Sequence, residues 1–582
     1  MTEKETIGKE MIKAHALENA LSHNGKASDK SVLSALFSEG LKKESIKETM
    51  PLIQEIVKEV NSLTEEQQKQ ELEKLAIKTQ KRETRQLGEL PPLPDAEKGG
   101  IVMRLAPFPS GPLHIGNARP YILNDEYVKM YHGKLLLVID DTISSEIKPI
   151  EPEAYKLIPE GFDWLNVKYD KKIIYKSDRL QIYYDYAQEL IKKGYMYVCN
   201  CSQEEFQELR AKGKECGCRN MDEHEHLERW EKMFNVSSKQ GNFVVRLKTS
   251  MQHPNPAFRD RVMFRIVTRE HPRVGKKYKV WPMLEFSWSI DDHLLGMTHI
   301  LRGIDLVMET EVEKFIWDIF KWKHPVVIHT GFFAIEGVKI SKSKGAQEVR
   351  SGMYSGWNDP RLWSLQSLRD RGIKPEAIRE FILNMGITKA NSTVAIDVLY
   401  AINRKFLEKS PRYFFVENPV KIHISGAPEL EAKLPLHPNK QQGYRRYNTS
   451  QDFYISQNDF ELMQDGNYRL MHLLNFKSTK PSPVKPLIFS YISEEPEEKL
   501  DVKFIHWLPS NKDETSNKEN QFSNNIKVRI RMPDNTMVKG LGEKDLEKLK
   551  PGQTVQFERF GFASFYEKDK KTNELEFWFT HR

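Results

Sequence analysis

Two short segments roughly two hundred residues apart carry the residue types of a nucleotide site. The first is Arg104-Leu-Ala-Pro-Phe-Pro-Ser-Gly-Pro-Leu-His114-Ile-Gly116-Asn117, and the second is Lys339-Ile-Ser341-Lys342-Ser343-Lys344-Gly345. The first reads as a strand end, a Pro/Gly-rich turn and a helix start. Amide N–H groups at a helix N-terminus are unpaired and attract phosphate. His114 stands in that turn, where an imidazole can donate to a phosphate oxygen as charge develops. Gly116 lacks a Cβ and lets a base or ribose pack against the backbone. In the second segment, ammonium groups on a loop can close on a leaving pyrophosphate and favour the transition state. A lone helix-start histidine is more often a cap, and a basic loop alone is more often solvated surface. Their combination points to phosphoryl or nucleotidyl transfer.

These residues need a scaffold, and the surrounding patterns supply an α/β one. Ile101–Leu105 is a short apolar run, as a buried parallel strand requires. A helix is expected over Ile115–Tyr131 and a second buried strand over Lys134–Ile139, ending at Asp140-Asp141-Thr142. Chemistry at strand C-termini with strand–helix–strand alternation is the doubly wound pattern. A helix near Pro152–Leu165, a strand near Lys172–Tyr175 and a helix over Arg179–Lys193 continue it. The segment 197–280 interrupts the alternation as an inserted mixed module. The α/β texture returns over 281–345, and a charged helical stretch covers about 355–415. Beyond 416 short alternating strands with polar turns fit β-barrels. Residues 1–95 read as a helical appendage closed by Leu90-Pro-Pro-Leu-Pro-Asp95. The stretch Lys69–Arg85 reads as a surface helix or a linker, and Lys512–Asn525 as a long polar loop.

All four cysteines fall within twenty residues: Cys199, Cys201, Cys216 and Cys218. Two close pairs of thiolates suit a tetrahedral structural Zn²⁺ with no open position, with His224 and His226 as alternative ligands. So few cysteines, all confined to one window, exclude a disulfide-stapled secreted class. The chain has 582 residues, 39% hydrophobic and 29% charged, with a formal charge of +7. No apolar run approaches the roughly 18 residues that span a membrane. The start, Met1-Thr-Glu-Lys-Glu, lacks an apolar signal core, so the cytoplasm is expected.

The paired segments resemble the two signature motifs of class I aminoacyl-tRNA synthetases, in that family's order. Further stretches narrow the resemblance to the glutamyl/glutaminyl branch: Leu136–Thr142, Tyr175–Cys201, Asp291–Gly303, Gly356–Arg361, Arg371–Asn384 and Val555–Arg559. The C-terminal part is similar to the archaeal/eukaryotic type of glutamyl enzyme. The resemblance covers about residues 96–582. It implies a class I Rossmann-like catalytic domain (96–196 and 281–345) with an inserted acceptor-end-binding module (197–280). A helical stem-contact subdomain (346–415) and β-barrel anticodon-binding domains (416–582) follow. The implied reaction uses ATP with Mg²⁺ to make glutamyl-adenylate and then charges tRNA(Glu). Whether tRNA(Gln) is also charged stays open.

Residue by residue, the resemblance assigns His114, Lys339 and Lys342 to catalysis. It places Pro107, Gly111, Gly116, Asn117, Ser341 and Ser343 beside them at ATP. Arg104, Asp140, Leu284, Trp288 and Arg302 fall at the amino-acid site, with Asp140 on the substrate ammonium. A buried guanidinium at Arg302 favours a side-chain carboxylate over an amide. The chain departs from the family at Asn117, where a second His is usual, and at Phe108, Val138, Leu284 and Trp288. L-glutamate and tRNA are thus the expected partners of a monomer without membrane contact. A glutaminyl enzyme, a non-catalytic tRNA-binding paralogue and a small-molecule nucleotidyltransferase are the alternatives. For RNA contacts, Arg259, Arg261, Arg265 and Arg269 are expected in the insert, and Arg445, Arg446, Arg529, Arg531 and Arg559 in the barrels.

Overall fold

The computed structural model describes residues 8–582 except 24, 39–40, 42–44, 76–87, 144–148, 339–341, 481–486, 497–500 and 511–524. The polar loop expected at Lys512–Asn525 therefore lies almost wholly outside the described residues, as do Lys339, Ile340 and Ser341. The chain divides into two compact units, Met1–Gln86 and Leu87–Arg582.

The first unit is helical: Lys9–Leu21, Asp29–Ser38, Ile46–Asn61 and Glu65–Leu75. Apolar residues at helical spacing (Ile12, Leu17, Val32, Leu36, Ile53, Ile56, Val57, Val60) form its core. Buried Gln68 ties three turns together by donating to the carbonyls of Gly25, Val60 and Leu63.

In the second unit, Val102–Leu105, Lys134–Ile139 and Ile174–Tyr175 form a parallel sheet. His299–Gly303 pairs in parallel with Val326–Thr330. It is joined to Val102 through Thr298, whose amide donates to Val102 O at 3.0 Å. The helix Ile115–Tyr131 follows the first strand and ends at His132 in the left-handed region. The helices Ala154–Trp164 and Leu180–Lys192 complete the alternation. The segment between them and the helix Leu284–Leu294 carries an antiparallel four-stranded sheet: Met196–Cys199, Val244–Leu247, Val262–Ile266 and Val280–Pro282. Antiparallel pairing needs only short connections and so fits an insertion between two parallel halves.

Beyond the helices Pro375–Met385 and Ile396–Leu407 lie two seven-stranded sheets. One has Arg412–Tyr413 at one edge and Phe415–Glu417 at the other. These edges are separated in the chain by Phe414 alone, so the sheet must curl until its edges nearly meet, which is how a barrel removes exposed edges. The helices are seamed to this barrel. Gly372, at φ +85°, lets the backbone approach so closely that a Cβ would lie 2.9 Å from Thr580 Oγ1. Thr580 Oγ1 donates to Arg371 O at 2.5 Å, and Asn403 Nδ2 meets His581 Nε2 at 3.0 Å. No helix among the described residues is long and apolar enough to cross a membrane.

Candidate active site

A cavity of about 450 Å³ opens where the two parallel halves meet. Arg104, His114, Gly116, Asn117, Leu284, Trp288 and Arg302 all line it, so seven of the expected site residues converge there. Pro107, Gly111 and Asp140 are not among its lining residues. Gly111 has a local steric reason: at φ +140° its Cβ would stand 2.9 Å from the Trp357 ring. Of the second segment, Lys342 and Ser343 open the helix Lys342–Arg350, and their side chains lie outside the description.

His114 is the N-cap of Ile115–Tyr131. Its Nδ1 accepts the Asn117 amide at 3.3 Å, and Asn117 Oδ1 accepts the His114 amide at 3.5 Å. Asn117 thus closes a reciprocal cap. With Nδ1 accepting, a neutral His114 carries its proton on Nε2.

The helix Leu284–Leu294 organises the amino-acid side. Residues four apart share a helix face, so Leu284, Trp288 and Asp292 form one stripe and Ser287 and Asp291 the next. One arginine can therefore meet two members of the first stripe. Arg104 Nη2 donates to Asp292 Oδ2 at 2.9 Å, its Nε donates to Oδ1, and its guanidinium lies 3.5 Å from the Trp288 ring centroid. Lys176 Nζ also lies 3.5 Å from that centroid. Lys176 donates to Ser287 Oγ at 2.7 Å, and burial holds its ammonium below the ordinary lysine value, opposed by Asp140 3.4 Å away.

Asp140, at the end of Lys134–Ile139, is 2% exposed. Its carboxylate accepts from Thr142 Oγ1 at 3.0 Å and from Trp288 Nε1 at 3.2 Å, besides facing Lys176. Three groups of the protein thus already face its carboxylate. On the second stripe, Asp291 accepts from Arg179 at 2.8 Å and from Tyr183 at 2.6 Å, while burial raises its carboxyl above the ordinary value.

Arg302, 5% exposed, is the penultimate residue of the strand His299–Gly303. Its two terminal nitrogens donate to the oxygens of Glu313, with Nη1–Oε1 at 2.9 Å. Nη2 also donates to Thr310 Oγ1 at 2.6 Å. Burial pushes the Glu313 carboxyl up against the pull of Arg302. Lys176, Asp292, Thr310 and Glu313 were absent from the sequence-based expectation. For Asp292 a signal existed: it stands four residues beyond Trp288 on a helix.

In the insert, the four cysteine Sγ atoms lie within 4.8 Å of one another. Cys199 and Cys216 are 3.9 Å apart, and Cys201 and Cys218 are 3.8 Å apart. Four thiolates at a Zn–S distance of about 2.3 Å on a tetrahedron are separated by about 3.8 Å, so the residues fit zinc. Neither His224 nor His226 belongs to this group. His224 faces Glu228 at 3.4 Å, and His226 Nδ1 accepts the Val198 amide at 3.3 Å.

The arginines expected at RNA divide in the structure. Arg261 is committed to Glu285 and to Glu309, the latter at 2.7 Å. Arg259 donates to His253 O at 2.7 Å and to Arg210 O at 2.8 Å. Arg445 is 1% exposed and paired to buried Glu543 at 3.1 Å, so its guanidinium is committed inside the protein and does not face solvent or RNA. Arg446 is exposed, beside Glu431 at 3.0 Å. Arg529 and Arg531 both reach Glu576, and Arg559 reaches Asp459 at 2.8 Å.

Residues 100–409 match the family "tRNA synthetases class I (E and Q), catalytic domain". Residues 410–492 and 504–566 match two families described as the anti-codon binding domain of the same synthetases. The chain is 42% identical over 569 residues to a glutamate–tRNA ligase of Methanocaldococcus jannaschii, covering 97% of this chain and 98% of that protein. It is 43% identical to one of Pyrococcus furiosus, with 94% and 96% covered. It is 44% identical to one of Pyrococcus abyssi, with 94% and 95% covered.

Proposed function

The chain belongs to the class I tRNA synthetases for E and Q, and from that premise we propose that it is a glutamate–tRNA ligase. The observation that carries the proposal is the convergence of Arg104, His114, Asn117, Trp288 and Arg302 on one cavity. Glutamate and ATP meet there, the α-carboxylate of glutamate attacks the α-phosphate, and pyrophosphate leaves. The glutamyl group then passes to the terminal ribose of tRNA(Glu).

His114, turned by its cap, offers Nε2–H to the phosphates as charge builds. The amides at the start of Ile115–Tyr131 add the favourable end of the helix dipole. Lys339 and Lys342 neutralise the departing pyrophosphate, with Ser341 and Ser343 beside them. Pro107, Gly111 and Gly116 shape the turn that receives ATP. Mg²⁺, when bound to ATP, supplies further charge neutralisation on the phosphates. Arg104 and Arg302 present N–H donors to the amino acid, and Leu284 packs against its methylenes. Asp140 keeps Trp288 and Lys176 in place and adds negative potential for the substrate ammonium. Cys199, Cys201, Cys216 and Cys218 would hold a structural zinc that braces the insert against the acceptor end. The protein acts as a monomer in the cytoplasm.

The test is aminoacylation of purified tRNA(Glu) and tRNA(Gln), each with glutamate and with glutamine, in the presence of ATP and Mg²⁺. Glutamyl-tRNA(Glu) is the expected product. Failure to form it, or a preference for glutamine, overturns the proposal. Product on tRNA(Gln) as well defines a relaxed tRNA specificity within the same function. A mass measured in solution above that of one chain rejects the monomer.

A further inference from the structure

Arg302 is expected to choose the substrate by its charge, yet that charge is already matched inside the protein. Glu313, 0% exposed on the helix Val307–Phe320, takes both terminal nitrogens of the guanidinium. Thr310, one turn earlier, takes Nη2 as well. Its hydroxyl donates to Leu306 O at 2.9 Å and lies 2.9 Å from His329 Nε2. A hydroxyl has one hydrogen and two lone pairs, so with His329 donating, Thr310 is saturated and cannot turn away.

Two N–H donors of Arg302 lie outside these contacts, one at Nε and the second at Nη1. Its Nε is buried and has no hydrogen-bond partner among the described residues. A buried N–H without an acceptor costs free energy, and this one belongs to a residue that lines the cavity. Arg104, which also lines the cavity, is likewise paired to a buried carboxylate, through a different edge of its guanidinium. Its Nε and Nη2 are spent on buried Asp292, and Nη1 stands outside that pair.

We propose that Glu313 is a specificity-determining positioning residue, which neutralises Arg302 and fixes it so that the substrate meets an N–H donor instead of an unmatched cation. The inference rests on the glutamate reading above. Two oxygens of a carboxylate can accept from the N–H groups of Arg302 and Arg104, whereas the NH₂ of an amide cannot accept and would face them as a further donor. Discrimination then comes from the donor pattern. Glu313 moderates it, because its negative charge opposes a second carboxylate beside the same guanidinium.

The test is Glu313→Gln, which keeps the shape and one acceptor but removes the charge. Arg302 then regains its net charge, which a substrate carboxylate can use and an amide cannot. The ratio of kcat/KM for glutamate over glutamine is expected to rise about fivefold or more, chiefly through a lower KM for glutamate. Glu313→Asp keeps the charge one methylene shorter. It is expected to stay within about twofold of the wild-type ratio, and it shows whether the site tolerates change here if the Gln variant does not fold. A ratio unchanged in Glu313→Gln, or a parallel loss for both amino acids, overturns the inference, as does a changed ratio in Glu313→Asp. Wild-type protein that forms no glutamyl-tRNA at all refutes the underlying reading instead, and the two failures are thereby distinct.

Discussion

Lys176 and Arg104 both hold Trp288, each 3.5 Å from the ring centroid. One of these cations lines the cavity and the other is fully buried behind it. Replacing the hidden one tests whether its hold on the ring serves substrate binding. In Lys176→Met the indole keeps an apolar neighbour and loses a cation–π partner worth about 1–2 kcal/mol when desolvated. Glutamate KM is expected to rise roughly tenfold with a smaller change in kcat, read from steady-state aminoacylation. A kcat loss at constant KM would contradict this role.

His114 joins two functions that substitution can separate. Asn is a good N-cap and cannot act as an imidazole. His114→Asn is expected to keep the unfolding free energy within about 0.5 kcal/mol, while His114→Ala loses about 1 kcal/mol. Both are expected to lower the rate of adenylate formation by about a hundredfold or more. Denaturant titration beside pyrophosphate exchange measures the pair, and a stable, active Asn variant would reduce His114 to a cap.

The cysteine cluster makes a compositional prediction. Purified protein is expected to carry one zinc per chain by elemental analysis, and Cys216→Ser is expected to release it. Because metal binding and folding share free energy, the variant or a chelated sample should melt several degrees lower. Protein free of zinc with an unchanged melting temperature would reject the site.

His506 supplies a pH signature. It sits between the two seven-stranded sheets beside Phe415, Asp459 and Arg559, in a cavity of about 270 Å³. Burial first, and then the Arg559 charge, pull its imidazole down from 6.5 to about 4. A histidine lowered on folding binds a proton more readily in the unfolded chain. Its stability contribution is therefore present above pH 6.5 and lost as pH falls toward 4. The full loss is on the order of 3 kcal/mol. Denaturation of the wild type and His506→Gln at pH 7.5 and at pH 4.5 should show a shallower loss in the variant; parallel losses would contradict the assignment.

The sequence pattern located elements better than contacts. Ile115–Tyr131 and Lys134–Ile139 were readable to the residue, because a Pro/Gly turn, a cap and an uninterrupted apolar run mark their ends. His114 and Arg302, both expected from the motif resemblance, line one cavity. The partners of such residues were not readable. Arg104 and Asp292 lie 188 residues apart, and the helical spacing that puts Asp292 on the Trp288 face does not say which cation it meets. Arg445 was misread because its aromatic neighbours suggested an RNA face. Strand alternation held the answer, since Arg445, Tyr447 and Thr449 point inward while Tyr444, Arg446 and Asn448 point out.

The seam of Gly372 and Arg371 with Thr580, and of Asn403 with His581, has a metrical consequence. It fastens the helices that follow the catalytic sheets to the last strand of a barrel without a span of slack chain. The separation between the reaction cavity and that barrel is therefore a built-in length, like the fixed jaw gap of a caliper. An RNA that reached both places would have to match that length.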